Sequence, residues 1–279
     1  MTSRIYTGIL LTVSVGLILV LSSPLFLFSL ISLIIVYSLY EWLSISDLNV
    51  IKKIIYVTLF SILLFITINI PLTTFHLLFK LSVGLWLLIT SLIVFYSPWM
   101  RHMLKKYSSL IGITLLYLSW LFLINLGTNL TGIINGGFAT SFLNNDIQIK
   151  HYLLFLIVLV SLCDISGYLF GKSVGTKKLC PSISPNKTVE GFIGSIIIPT
   201  AFCSIYFLYY KDYHFVINDL FFLVLLCIFC TIGDLLVSCH KRVFNKKDSG
   251  NILPGHGGVL DRLDSYLPCI IIYQYWMFM

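Results

Sequence analysis

Nine apolar runs of roughly spanning length punctuate this chain, at about 6–22, 24–40, 54–71, 77–96, 109–127, 151–170, 191–210, 215–236 and 263–278. At about 1.5 Å per residue several only just cross a bilayer, and Ser22-Ser23-Pro24 leaves a very tight first hairpin. The expected count is nine, with eight as the alternative. The pattern predicts an all-α, polytopic integral membrane protein with a single membrane-embedded domain over 1–279. Its N-terminal helices fall in 1–127, and 151–279 holds the helices and loops that carry the polar chemistry. Arg4 ahead of the first run imitates a signal peptide, but no small-x-small cleavage site follows, so an uncleaved span is expected. Residues 128–150, polar and rich in Asn and Gly, read as a loop.

Charge tests that division independently. With the N-terminus in the cytoplasm, the inside segments carry fifteen of the 18 lysines and arginines, and only Lys80, Lys150 and Lys211 fall outside. That is a strong positive-inside bias, and it places 171–190 and 237–262 together on the cytoplasmic face. Composition agrees: 58% of residues are hydrophobic and 10% charged, with a mean hydropathy of +0.97, whereas a soluble domain carries about 25% charged residues. The net charge of +7 is accounted for by cations flanking spans, and nucleic acid is not an expected partner. The seven cysteines are scattered; Cys227-x-x-Cys230 lies in an apolar run without partner ligands and reads as small apolar filler.

Two polar constellations stand out against this background. Residues 231–265 hold four of the 11 acidic residues, Asp234, Asp248, Asp261 and Asp264. The same stretch holds Lys241-Arg242, Lys246-Lys247, Arg262 and the turn Pro254-Gly255-His256-Gly257-Gly258. Carboxylates can hold a divalent cation, lysines and arginines can hold phosphates, and glycines let backbone approach a ligand. If a helix opens near Val259, Asp261 and Asp264 share one face, and its first N–H groups are available to an anion. The second constellation starts with Asp164, deep in an apolar run, where a carboxylate costs ~2.5–3.5 kcal/mol to insert and is expected to face the protein interior. A basic, hydroxylic loop follows, with Lys172, Lys177, Lys178, Ser184, Lys187 and Thr188, and reads as a phosphate-binding loop. There is no Walker pattern and no dinucleotide fingerprint. Glu41-Trp42, the one such pair in the first half, reads as an interfacial anchor ahead of a role in the site.

The series Ser238-x-x-Lys241-Arg242, Lys247-Asp248, Pro254-Gly255-His256-Gly257-Gly258-Val259-x-Asp261-Arg262-x-Asp264 resembles the signature of the phosphatidate cytidylyltransferase (CDP-diacylglycerol synthase) family. The same family's upstream blocks are matched by Asp164, Tyr168, Gly171 and Lys172, and by Ser184, Pro185, Lys187, Thr188, Glu190 and Gly191. Val237 stands where that family generally has Glu, His240 where an apolar residue is usual, and Val189 where an aromatic is frequent. The resemblance implies transfer of a cytidylyl group from CTP to phosphatidate, with Mg2+ as cofactor, a monovalent cation as a further candidate, and a homodimer in the bacterial plasma (inner) membrane with its site facing the cytoplasm. It implies Asp234 and Asp261 at the metal centre, to which the residue pattern adds Asp264 as a third ligand; Asp234, Asp261, Lys241, Arg242, His256 and Arg262 are the expected catalytic residues. Substrate would meet Asp164, Ser184, Lys187, Thr188, Lys247, Asp248, Gly257 and Gly258. His256 is open to two readings, a proton relay or a turn-stabilising hydrogen bond. A polyprenol kinase, an archaeal-lipid cytidylyltransferase and a secondary transporter are the alternatives; the transporter is disfavoured because the polar residues cluster in loops on one side rather than at the midplane.

Overall fold

A computed structural model describes residues 16–19, 21–67, 72–95, 97–124, 146–209, 217–252 and 257–278. In chain order the elements are α1 (Pro24–Ile45), α2 (Val50–Ile66), α3 (Leu72–Phe95), α4 (Ser97–Ile124), α5 (Asp146–Ser173), β1 (Lys178–Cys180), β2 (Ser184–Thr188), α6 (Val189–Tyr209), α7 (Ile217–Val243), α8 (Leu260–Leu263) and α9 (Tyr266–Phe278). Six of the described helices are long and apolar enough to cross a membrane: α1, α3, α4, α5, α6 and α7. The protein is a polytopic, all-α membrane protein. Of the expected first span, residues 6–15 and 20 lie outside the described residues; α2 has 17 residues and α9 has 13.

Where helix ends differ from the hydropathy pattern, polar chemistry is the reason. The helix expected from 109 starts at Ser97, because Arg101, Lys105 and Lys106 are good helix formers that hydropathy discounts. It passes through a distortion at Tyr107 (φ −121°, ψ 25°). The tight bend before α1 is set by local chemistry: Ser23 Oγ accepts the Phe26 N–H at 3.3 Å and Pro24 occupies the first turn. The loop expected over 171–190 contains an antiparallel hairpin, with Lys178 opposite Thr188 and Cys180 opposite Ser184.

Helix α7 is the central post, buried along most of its length from Asp219 to His240, and it packs against α4, α5, α6 and α9. Helices α5 and α6 run closely along each other. At their crossing a Cβ on Gly191 would lie 2.7 Å from the Gly167 carbonyl oxygen, so only glycine permits this approach. At one end of the bundle, α7 meets α4 just past its Tyr107 distortion through His240, whose Nε2 lies 2.8 Å from Ser108 Oγ. At the other end, Trp276 of α9 donates its indole N–H to Asp219 of α7 at 2.9 Å. Most of the described cations sit at the His240 end, and so do both polar constellations.

The two departures from the family pattern on α7 have a packing explanation. Val237 is fully buried in the core. His240, also fully buried, stacks on Trp42 with ring centroids 4.0 Å apart and planes 8° from parallel. Its Nε2 also lies 3.2 Å from Ser46 Oγ. The imidazole therefore fills an apolar slot with its face and satisfies two hydroxyls with its edge.

Candidate active site

A cavity of about 440 Å³ opens between α5, the hairpin, α6 and α7. Helix α5 contributes Asp164, Tyr168 and Lys172; the hairpin contributes Asn186, Lys187 and Thr188; α7 contributes Thr231 and Asp234. Lys187 is paired with Asp234, each side chain a little over a quarter exposed. Burial works against the lysine's charge, but Asp234 first, then Asp264 and Asp164, outweigh it and hold its pKa above the ordinary value. Ser238, one turn after Asp234, donates its hydroxyl to Asp234 Oδ1 at 3.1 Å. Asp264 is 7% exposed and its Oδ1 accepts the Ser265 N–H at 2.7 Å. Arg262 is itself exposed, and its charge reaches Asp164.

Three carboxylates from α5, α7 and the α8–α9 link thus bear on one lysine. The surplus negative charge and hard oxygen donors suit a small divalent cation. Among the described residues no three His, Cys, Asp or Glu side chains converge closely enough to enclose a metal alone. Magnesium needs no such cage, since it is held by one or two carboxylates and completes its shell with water and phosphate oxygens.

Asp261 belongs to a different arrangement from the one expected. Its Oδ1 pairs with Lys241 Nζ at 2.6 Å, both side chains nearly buried. Its Oδ2 accepts the Ser249 N–H at 2.9 Å and the Gly258 N–H at 3.2 Å. Burial raises its pKa, but the Lys241 contact and these amides prevail and hold the carboxyl below its usual range. The trio Asp234, Asp261 and Asp264 does not converge as a metal-holding group. Nor are the amides at the start of α8 free for a phosphate: Gly258 serves Asp261, while Val259 and Leu260 donate to Glu41. The anion seated on that helix start is the protein's own.

The remaining expected residues divide by role. Arg242 donates to the Ile183 carbonyl at 3.4 Å and the Lys246 carbonyl at 3.3 Å, so its guanidinium ties the hairpin turn to the end of α7. Arg101, absent from both constellations, makes a parallel tie to the Ser182 carbonyl at 2.5 Å. Thr188 Oγ1 accepts the Gly191 N–H at 3.1 Å, capping α6 while lining the cavity. Ser184 is a strand residue opposite Cys180. Lys247 and Asp248 are exposed beyond α7. Gly257 adopts φ +82°, a conformation that favours glycine. Pro254, Gly255 and His256 lie outside the described residues, so both readings of His256 stand as expectations.

Glu190 and Glu41 are the contributors whose roles the sequence did not reveal. Glu190 accepts the Thr176 hydroxyl at 2.5 Å and the Lys177 N–H at 3.2 Å, pinning the start of α6 to the basic loop. Glu41 is 2% exposed and reaches the glycine turn from α1. The available signal was its position, a carboxylate inside an apolar run of a chain with only 11 acidic residues.

The sequence profile of the cytidylyltransferase family matches residues 2–279. The chain is 49% identical over 122 residues to a phosphatidate cytidylyltransferase of Staphylococcus aureus (strain COL), covering 42% of this chain and 45% of that protein. It is 48% identical over 118 residues to one of Staphylococcus haemolyticus, again covering 42% and 45%. It is 47% identical over 116 residues to one of Bacillus subtilis (strain 168), covering 42% and 43%. These matches span a little under half the length of each relative.

Proposed function

This chain belongs to the cytidylyltransferase family, and from that premise we propose that it transfers the cytidylyl group of CTP to phosphatidate, giving CDP-diacylglycerol and pyrophosphate for phospholipid biosynthesis. The observation that carries this reading is the cavity lined by Asp164, Lys187 and Asp234, in which Lys187 pairs with Asp234 and also feels the charges of Asp164 and Asp264. Similarity to phosphatidate cytidylyltransferases supports the choice of substrates.

In the proposed reaction an oxygen of the lipid phosphate bonds to the α-phosphorus of CTP as the bond from that phosphorus to the bridging oxygen breaks. Pyrophosphate carries away the electron pair. The lipid phosphate is ionised near neutral pH, so no strong base is required. Positioning and neutralisation of charge supply most of the catalysis. Lys187 grips the triphosphate from the hairpin side, Lys172 and Asn186 guard the cavity mouth, and Arg262 adds positive charge near Asp164. Mg2+, held by Asp234 with Asp264 or Asp164, would neutralise phosphate oxygens and favour departure of pyrophosphate. Lys241 and Asp261 tie Ser249 and the start of α8 to the end of α7. The acyl chains enter sideways from the bilayer, the site faces the cytoplasm of a bacterial plasma membrane, and the working unit is a homodimer.

The test is incorporation of labelled CTP into lipid by the purified protein, with phosphatidate and Mg2+ added or withheld, for wild type and Asp234→Asn. Label in CDP-diacylglycerol only with both additions, and its loss in the variant, supports the reading. Transfer that ignores phosphatidate contradicts it.

A further inference from the structure

Glu41 sits four residues before the end of α1, far in sequence from both polar constellations, yet Ser249 and the start of α8 close on it. Its Oε2 accepts the Ser249 hydroxyl at 2.8 Å and the Leu260 N–H at 2.8 Å. Its Oε1 accepts the Val259 N–H at 3.1 Å. Asp261 takes the neighbouring donors, the N–H groups of Ser249 and Gly258. Two carboxylates therefore share Ser249 between them, one through its hydroxyl and the other through its amide. They also divide the consecutive amides of 258, 259 and 260. The clasp thus fixes Ser249 and residues 258–260 together, and one half of it comes from a helix more than 200 residues away in sequence.

The fit leaves no slack. A Cβ on Gly250 would lie 2.4 Å from Glu41 Oε1, and one on Gly258 would lie 2.4 Å from Oε2 and 2.1 Å from Ser249 Oγ. Lys187 pairs with Asp234, Lys241 with Asp261 and Lys246 with Asp47, whereas Glu41 is held by a hydroxyl and two backbone amides. Its partners are neutral donors at the start of α8, a setting that favours an anion. Glutamine in the same place would turn one end of the group into a donor facing donors.

We propose that Glu41 is a positioning residue for the transfer reaction: it fixes Ser249 and the start of α8 so that Asp261 holds Lys241 and the chain leads in one geometry to Ser265 at the cavity wall. The inference rests on the cytidylyl-transfer reading. Its content beyond scaffolding is that Glu41 governs the rate of the bound complex and not merely the yield of folded protein. Misplacing catalytic groups by about 1 Å costs on the order of 100-fold in rate.

The experiment measures kcat and KM for CTP with the full chain, kcat being counted per CTP-binding site, for wild type, Glu41→Gln, Glu41→Asp, Ser249→Ala and the Glu41→Gln/Ser249→Ala double variant. Glu41→Gln is expected to lower kcat on the order of 100-fold with KM within about threefold. Glu41→Asp, which keeps the charge on a shorter arm, should restore part of that loss. The double variant should fall short of the product of the single effects, since both act through one clasp. A Glu41→Gln enzyme with wild-type kcat per binding site overturns the inference. Should Glu41→Gln fail to accumulate, Ser249→Ala reads the same clasp: a drop of about tenfold in kcat supports it, and an unchanged kcat overturns it. A wild type that transfers nothing to phosphatidate overturns the transfer reading and this inference with it, an outcome distinct from the failure of the variants alone.

Discussion

Asp261→Asn removes one negative charge and turns one acceptor into a donor where Lys241, Ser249 and Gly258 meet. Three contacts are affected: Lys241 Nζ at 2.6 Å, the Ser249 N–H at 2.9 Å and the Gly258 N–H at 3.2 Å. The Lys241 and Asp261 side chains are 12% and 10% exposed, so the pair is nearly buried and little screened. Breaking a buried pair from one side costs about 3–5 kcal/mol. Asn keeps one acceptor of the right shape, which trims the expected loss to about 2–4 kcal/mol, or roughly 5–10 °C in Tm for a chain of this size. The wild-type advantage has a pH signature. The carboxyl of Asp261 lies below its usual range in the fold, so its stabilisation is fully present above the unfolded value of about 3.9 and is lost as pH falls through the folded value. Thermal unfolding in detergent, followed by tryptophan fluorescence, should show a constant gap between wild type and variant from pH 5 to neutrality, closing below about pH 4. A gap under about 1 kcal/mol at neutral pH, or one that persists undiminished at acid pH, would refute the clasp.

Other residues give sharper discrimination between roles. Lys187→Met leaves Asp234 without its cation and should reduce kcat/KM for CTP on the order of 100-fold, read by steady-state kinetics. Because the pKa of Lys187 is raised, the stability it contributes is full below its unfolded value of about 10.4 and disappears only as pH rises through the folded value. Arg242→Ala releases the Ile183 and Lys246 carbonyls, so hydrogen exchange over 178–188 should speed up, and lysine, lacking the planar fork, should not restore protection. His240→Leu should cost only about 1 kcal/mol by thermal unfolding, because leucine refills the slot on Trp42 and the two serine hydroxyls, already 2.5 Å apart, satisfy each other.

Hydropathy located the six helices of spanning length because insertion into lipid depends on summed apolar surface, a quantity the sequence states directly. It placed the ends less well. The cationic first turns of α4 read as loop because hydropathy measures membrane affinity, not helicity. The hairpin over 178–188 escaped notice because strands of three and five residues carry almost no periodic signal. Its turn is held by Arg101 and Arg242, whose partners are backbone carbonyls of no particular residue type. In the site, the residue types and the neighbourhood of Asp164, Lys187 and Asp234 were legible. The separation of Asp261 from that group was not, because three residues of spacing do not say which neighbour a carboxylate will face. Glu41 was visible as an unusual acid but not as half of a clasp. Its partners are 208 to 219 positions away, and they are mostly amides that every residue possesses.

In the proposed reaction the nucleotide is cut between its α- and β-phosphates and its nucleoside monophosphate passes to phosphatidate. The most direct measurement supplies the purified protein with phosphatidate and CTP labelled at either the α- or the γ-phosphorus, and follows both labels. The account predicts α-label in CDP-diacylglycerol and γ-label in released pyrophosphate, in equal amounts. A γ-label that enters lipid while the α-label stays with CDP would mean a kinase, and neither label moving would contradict the account altogether.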